Sequence, residues 1–319
     1  MSILNTNPGV AVGNKPSILD LVVMQGAHNT PLLNMFKKGT VANTLHSWIQ
    51  DTYEQAGENA QLEVSDVGTT PDGSKTKTSN ATQIFKNEVK ISYTQDAVST
   101  YGDGEMKHQL MKGSKKHARD LEFGILGLNN GQSATMTDAG ADTGVFSDYT
   151  MRVANTTAGK MAGIFGYIPT ANRIDGASAN VTYDSFCAIL QKIWEEGGDP
   201  SKVYVGADMK KYINAFADAT KSGITVPVGS KDFDPRVLKV STDFGIVDVN
   251  IHRDFTATNG LNGTILAGDF SEVAFKTLIA TSLKDVATSE TATIKRYFTE
   301  GTLEVKDGNK IACGLDFLV

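Results

Sequence analysis

Residues 57–94 read GENAQLEVSDVGTTPDGSKTKTSNATQIFKNEVKISYT. At one end Leu62 and Val64 alternate with Glu63 and Ser65. At the other, Val89, Ile91 and Tyr93 alternate with Lys90, Ser92 and Thr94. Period-two alternation predicts a half-buried strand on each flank. The tip between them, at about residues 68–82, is made of turn formers, Thr and Lys. The pattern therefore predicts a long hairpin, since a strand of about ten residues spans roughly 33 Å. An isolated two-stranded hairpin is marginal in water, so its apolar faces must lie on another surface. The tip also imitates a phosphate loop, GTTPDGSKT (68–76), but Ser74 separates Gly73 from Lys75. A P-loop needs Lys directly after the second Gly, a buried strand before it and a helix after it, and this stretch meets none of these conditions.

Composition limits the surroundings of this hairpin. The chain has 319 residues with 40% hydrophobic and 21% charged residues, enough for one large domain or two ordinary ones. Its net charge of −6 gives no global basic field toward nucleic acid. Two cysteines, Cys187 and Cys313, and 5 His do not supply a zinc framework. The N-terminus lacks the charged start and apolar core of a signal peptide, and no apolar run approaches the roughly 20 residues of a membrane span. These features predict synthesis in a reducing, intracellular place.

Along the chain, residues 1–17 read as an irregular arm, 18–26 as a short helix, and 45–56 as strand or helix, with Trp48 and Tyr53 as core or interface aromatics. The segment DGEMKHQLMKGSKKHARDLEFGILGL predicts a helix over 103–128. Met106, Leu110, Leu121, Ile125 and Leu128 share its inner face. Lys112, Lys115, Lys116 and Arg119, with His108 nearby, gather on the opposite face. That stripe reads either as a solvated face or as one turned toward phosphates, which need only well-placed Lys and Arg. Residues 131–180, rich in Gly, Ala, Thr and Asn, read as a surface insertion, and GIFGYIP (163–169) as a buried strand. From residue 181 the pattern becomes α/β. A helix capped by Thr182 buries Phe186, Ile189, Leu190 and Ile193. KVYVG is a strand, and a second helix follows from Asp208. Further strands fall near 236–241, 246–253, 263–268 and 272–278. At the C-terminus a second hairpin is predicted, with Val305 opposite Ile311, a loop at Asp307-Gly308-Asn309, and Cys313 on the core face.

Chemistry is absent from the pattern. His108 and His117 are too far apart for a metal pair on one helix face and read as solvated. His28, His46 and His252 have no carboxylate or Cys constellation in sequence. Cys187 has no basic neighbour to lower its pKa. No nucleophile elbow and no dinucleotide fingerprint occurs. No catalytic residue, cofactor or metal is predicted.

The order of parts is an arm, a polar-tipped hairpin, one long helix, a Gly-rich break, an α/β unit and C-terminal strands. LEFGILGLNNG (121–131) and MAGIFGYIP (161–169) look like the end of a spine helix and the glycine-led step that follows it. This resembles the major capsid proteins of tailed bacteriophages with the Hong Kong 97-type fold, in the subgroup similar to that of phage SU10. The resemblance implies an α+β chain with an N-terminal arm (1–44) and an extended-loop hairpin (45–97). A peripheral domain (98–180) would carry the spine helix (103–128) and a Gly-rich insertion. An axial domain (181–285) and C-terminal strands returning to the peripheral domain (286–319) complete it. It further implies a non-enzymatic shell protein of the virion. Such a protein assembles as hexamers and pentamers around packaged double-stranded DNA in the cytoplasm of a bacterial host. Separate scaffolding, portal and decoration proteins are the expected partners, and no membrane is. Gly68, Thr69, Asp72, Lys75, Lys77 and Asn80 would lie on the inter-subunit arm. Two departures are visible: no long scaffolding segment precedes the hairpin, and Lys75, Lys77 and Lys86 match no crosslinking motif. The alternatives are an encapsulin-type nanocompartment shell and a soluble α/β enzyme.

Overall fold

The strand signals of the chain sort into two principal sheets whose partners come from distant parts of the sequence. A computed structural model describes residues 29–51, 57–58, 60, 63, 75–98, 104–130, 144–154, 156–219 and 239–318. In chain order, α1 (Pro31–Met35), β1 (Lys37–Thr40), β2 (Leu45–Gln50), β3 (Thr76–Ala81), β4 (Gln83–Ser92), α2 (Tyr93–Ala97) and α3 (Glu105–Ile125) form the first half. The second half holds β5 (Arg173–Asp175), α4 (Tyr183–Glu195), β6 (Lys202–Val205), α5 (Ala207–Ala219), β7 (Lys239–Thr242), β8 (Gly245–Ile251), β9 (Ile265–Gly268), β10 (Val273–Val286), β11 (Ala292–Val305) and β12 (Ile311–Leu315). One sheet has the order β1-β10-β11-β4, a second β5-β12-β9-β6-β8-β7, and a third holds only β2 and β3.

The long helix α3 lies within the expected span and packs on the four-stranded sheet. Leu121 and Ile125 are buried as its periodicity requires. On β4, Gln83, Phe85 and Ile91 are buried while Ile84, Lys86, Glu88 and Lys90 are exposed, so the alternation in the sequence is real. The other flank of the quoted stretch, with Leu62 and Val64, lies outside the described residues. β4 pairs antiparallel with β11, with Phe85 opposite Thr299 and Ile91 opposite Thr293. The hairpin instead joins β2 to β3, with Leu45 opposite Ala81 and Gln50 opposite Thr76. Thr76–Ala81, expected in the tip, is strand because its side chains dock on the body. Tyr93 does not continue the alternation: it opens α2 and is exposed.

In the six-stranded sheet, period two separates two cores. Tyr204, Leu266, Ile311, Cys313 and Leu315 face the cluster shared with Leu121, Ile125 and Phe165. Val203, Val205, Ile265, Ala267 and Ala312 face Phe186, Ile189, Leu190 and Ile193 of α4 and Met209 and Ile213 of α5. Helix α4 begins where its sequence says, through a reciprocal capping box of Thr182 and Ser185. The expected C-terminal hairpin does not form. β11 belongs to the four-stranded sheet and β12 pairs with β9 and β5 in the six-stranded one, so residues 306–310 pass between sheets. Leu303 and Val305 of β11 share one core with Ile311, Cys313 and Leu315 of β12, yet the two strands pair in different sheets, and alternation does not say with which strand each pairs. GIFGYIP is buried at Ile164, Phe165 and Ile168 but coils as a short 3-10 turn over Ile164–Tyr167. Within the stretch expected as a surface insertion, Val145 and Phe146 are core residues, with the Arg173 guanidinium 4.1 Å above the Phe146 ring. The segments 1–28 and 220–238, with the expected arm and the helix at 18–26, lie outside the described residues.

Candidate assembly interface

The two-stranded ladder β2–β3 shares no backbone ladder with either larger sheet. Polar side chains on one face attach it to the body. His46 and Asn80 stand opposite each other in the ladder and dock on consecutive residues of β11. The Asn80 amide donates to Leu303 O at 2.7 Å and Ala162 O at 3.2 Å, and its oxygen accepts from Ala162 N at 2.9 Å. His46 Nε2 contacts the Glu304 carboxylate, which also holds Lys276 of β10. Farther out on the same face, Trp48 lies 5.7 Å from the Tyr167 ring and Gln50 donates to Lys306 O. Burial would push the Glu304 carboxyl up, but the hydrogen bonds and charges of Lys276 and His46 outweigh it and hold the group below its ordinary value.

The opposite face of the stem is buried at its root, at Ala81, and open farther out. Ile49 is 70% exposed and its cross-strand neighbour Lys77 is exposed as well. Lys75, at the edge of the stem, is also exposed. Asn80, expected at the reach of the arm, is instead fully buried at its root. The reason is its three bonds, which satisfy backbone groups that would otherwise be buried unpaired. Gly68, Thr69 and Asp72 lie outside the described residues.

On α3, Lys112, Lys116 and Arg119 are exposed, while Lys115 and His108 are partly buried on the same side. Arg119 reaches Asp254 at 4.0 Å, an exposed and weak pair. His117, expected to be solvated, is 2% exposed. Its Nδ1 donates to Asn87 Oδ1 at 2.6 Å and its Nε2 meets Thr299 Oγ1 at 2.7 Å, which knits α3 to β4 and β11. Burial pushes this imidazole below its ordinary pKa, and Asp120 partly opposes that.

His252 also has the carboxylate partner that its sequence neighbourhood lacks. Its Nε2 donates to Glu122 Oε1 at 2.9 Å, and both side chains are fully buried. Glu122 also accepts from Leu32 N at 2.9 Å and Leu33 N at 2.7 Å, tying α1 to the end of α3. Asp254 N donates to His252 Nδ1 at 3.2 Å, so the imidazole is the neutral Nε2–H tautomer. The one available signal was Glu122 itself, a charge inside the apolar run LEFGIL. Cys313 is buried, and burial pushes its thiol up to about 12, which makes it an inert core residue. Among the described residues no group of three or more His, Cys, Asp or Glu is placed to hold a metal, and no helix is long and apolar enough to cross a membrane.

The two glycine-rich pieces, separated by some thirty residues, meet in space. A Cβ on Gly163 would lie 2.2 Å from Gly127 N, and Gly127 itself has φ +80°, so only glycine fits this junction. The sequence profile of the SU10 major capsid protein family matches residues 5–316, which spans this junction, the stem and both sheets. The chain belongs to the SU10 major capsid protein family.

A major capsid protein of Escherichia phage Phieco32 is 29% identical over 182 residues, 53% of this chain and 49% of that protein, so the match spans about half of the relative's length. The capsid subunit of Cyanophage A-1(L) superposes with a TM-score of 0.65 at 12% identity, covering 99% of this chain and 100% of that one. The chain from Gordonia phage Cozz gives 0.63 at 13% identity, covering 100% and 99%. The SrpI encapsulin of Synechococcus elongatus PCC 7942 gives 0.59 at 11% identity, covering 99% and 96%. The fold of this SU10-family chain is the α+β Hong Kong 97-type capsid fold, in which β2–β3 is the stem of the extended loop and α3 the spine helix.

Proposed function

We propose that this chain is the major head subunit of a tailed phage. Many copies would associate as hexamers and pentamers into an icosahedral shell around double-stranded DNA. The observation that carries this reading is the stem β2–β3. It is anchored to its own body by one face and presents Ile49 and Lys77 outward on the other. A stem that meets a neighbour through that face makes head-to-tail contacts, and heterologous contacts that close make rings. A standard interface buries roughly 1,600 Å², to which such an arm contributes a large part. The role is structural rather than catalytic, in the virion, with assembly in the host cytoplasm and with scaffolding, portal and decoration proteins as candidate partners. The division into arm (1–44), extended loop (45–97), peripheral domain (98–180), axial domain (181–285) and returning strands (286–319) belongs to the same reading. Lys112, Lys115, Lys116 and Arg119 form the surface offered to packaged DNA.

Electron microscopy of the purified protein tests the proposal. Uniform shells, capsomers or tubes are expected. A monodisperse monomer or dimer at high concentration, with scaffold supplied, would overturn it. Replacing residues 52–74 by a short turn keeps β3 and Asn80 and should leave a folded subunit without stable shells. The second reading, an encapsulin-type nanocompartment, has the SrpI superposition in its favour. Particles that retain DNA favour the head, and particles that retain a protein cargo favour the compartment.

A further inference from the structure

Two unlike attachments stand side by side at the root of the stem, inward of the Trp48 and Gln50 contacts. On β3, Asn80 is completely buried and bonds to the backbone at Ala162 and Leu303, which makes a fixed pivot. On β2, the directly opposite residue His46 reaches a side chain, Glu304, one residue farther along β11. A single pivot leaves a rigid ladder free to swing, and a second contact beside it sets the angle. Glu304 is 2% exposed, yet it binds two side chains from different elements, the imidazole of His46 on β2 and the ammonium of Lys276 on β10. No backbone ladder joins the stem to the sheet to which Glu304 belongs. We propose that Glu304 is the positioning residue of the arm: held in place by Lys276, it fixes the direction in which the stem leaves the body by gripping His46. This rests on the reading of β2–β3 as the stem of an inter-subunit arm, and it adds a residue whose task is orientation rather than inter-subunit contact.

The test uses full-length, unassembled protein and amide hydrogen exchange. His46→Asn removes the grip but leaves Glu304 paired with Lys276. Glu304→Gln removes the charge at nearly constant volume. A charge-assisted hydrogen bond of this kind stabilises by about 1.5–3 kcal/mol, so exchange at residues 45–50 and 76–81 should rise about tenfold or more in each variant. Amides of β10 and β11 that open without the stem should exchange as in wild type, and the global unfolding midpoint should fall by no more than the latch's own contribution, because Lys276 and His46 both retain access to water. The double variant should exchange no faster than Glu304→Gln alone, since both changes remove one contact. Unchanged stem exchange, additive effects, or an equal rise throughout the subunit would each overturn the proposal. Particle formation is scored separately: fewer regular particles are expected from His46→Asn. If wild-type protein forms no particles, the assembly reading fails while the exchange result still judges the latch.

Discussion

The stem β2–β3 and the helix-backed six-stranded sheet are both antiparallel in part, yet cohesion differs in kind between them. The six-stranded sheet buries apolar faces on both sides, with Phe186, Ile189, Leu190 and Ile193 at 0% exposure on one of them. Its stability comes from apolar area removed from water, which is non-directional and spread over many residues. The stem is held by a handful of polar contacts, each directional and each losable by one change. A region of the first kind folds on its own account. One of the second kind can be redirected without unfolding the rest, as the proposed inter-subunit arm requires.

The largest expected effect probes the junction that both regions share. Gly163→Ala drives a Cβ into the Gly127 backbone, next to the Ala162 groups that hold Asn80, and should leave no stably folded subunit. Circular dichroism and solubility check this, and a folded variant with only a loosened stem would erase the distinction between the regions. Next, Phe186→Ala should cost about 3–5 kcal/mol in urea unfolding, felt throughout the subunit. Asn80→Ala should cost less, about 1–3 kcal/mol for the backbone groups left unpaired, with the gain in amide exchange concentrated in the stem. If its loss of exchange protection is as global as that of Phe186→Ala, the stem is part of the core after all.

Smaller again is a pH effect at His117. Its folded pKa lies below the ordinary value because burial disfavours the imidazolium, so the folded state prefers the neutral ring. The stability it contributes is complete above about pH 6.5 and is lost as pH falls through the folded value. Melting temperatures between about pH 5 and about pH 8 should rise with pH, and His117→Asn should flatten that slope. The smallest stability change belongs to Lys112→Glu, Lys115→Glu and Arg119→Glu, within about 0.5 kcal/mol for surface positions. DNA retention in assembled particles should fall clearly with these three. Equal retention would remove the stripe from the proposed function.

Much of the local structure was legible. The spine helix, α4 with its Thr182 cap, and the alternation along β4 follow from spacings of a few residues. The glycine-rich motifs carried the resemblance to the capsid fold, and the structure gives its physical content: Gly127 and Gly163 touch. The root of the arm was much less legible. Asn80 resembles any tip residue until Leu303 and Ala162 are beside it, and His46 resembles any strand histidine until Glu304 is. His117 and His252 looked solvated or unpartnered because their partners, Thr299 and Glu122, are 182 and 130 residues away.

The sequence by itself determined which residues of each helix and strand turn inward, because that depends on periods of 3.6 and 2 carried by the chain alone. Only the tertiary structure decided which strand pairs with which. β4 pairs with β11, some 200 residues away, and β11 and β12 parted into different sheets. An apolar face specifies that it must be covered, but not by what. That choice depends on how all the faces of the chain can be covered at once.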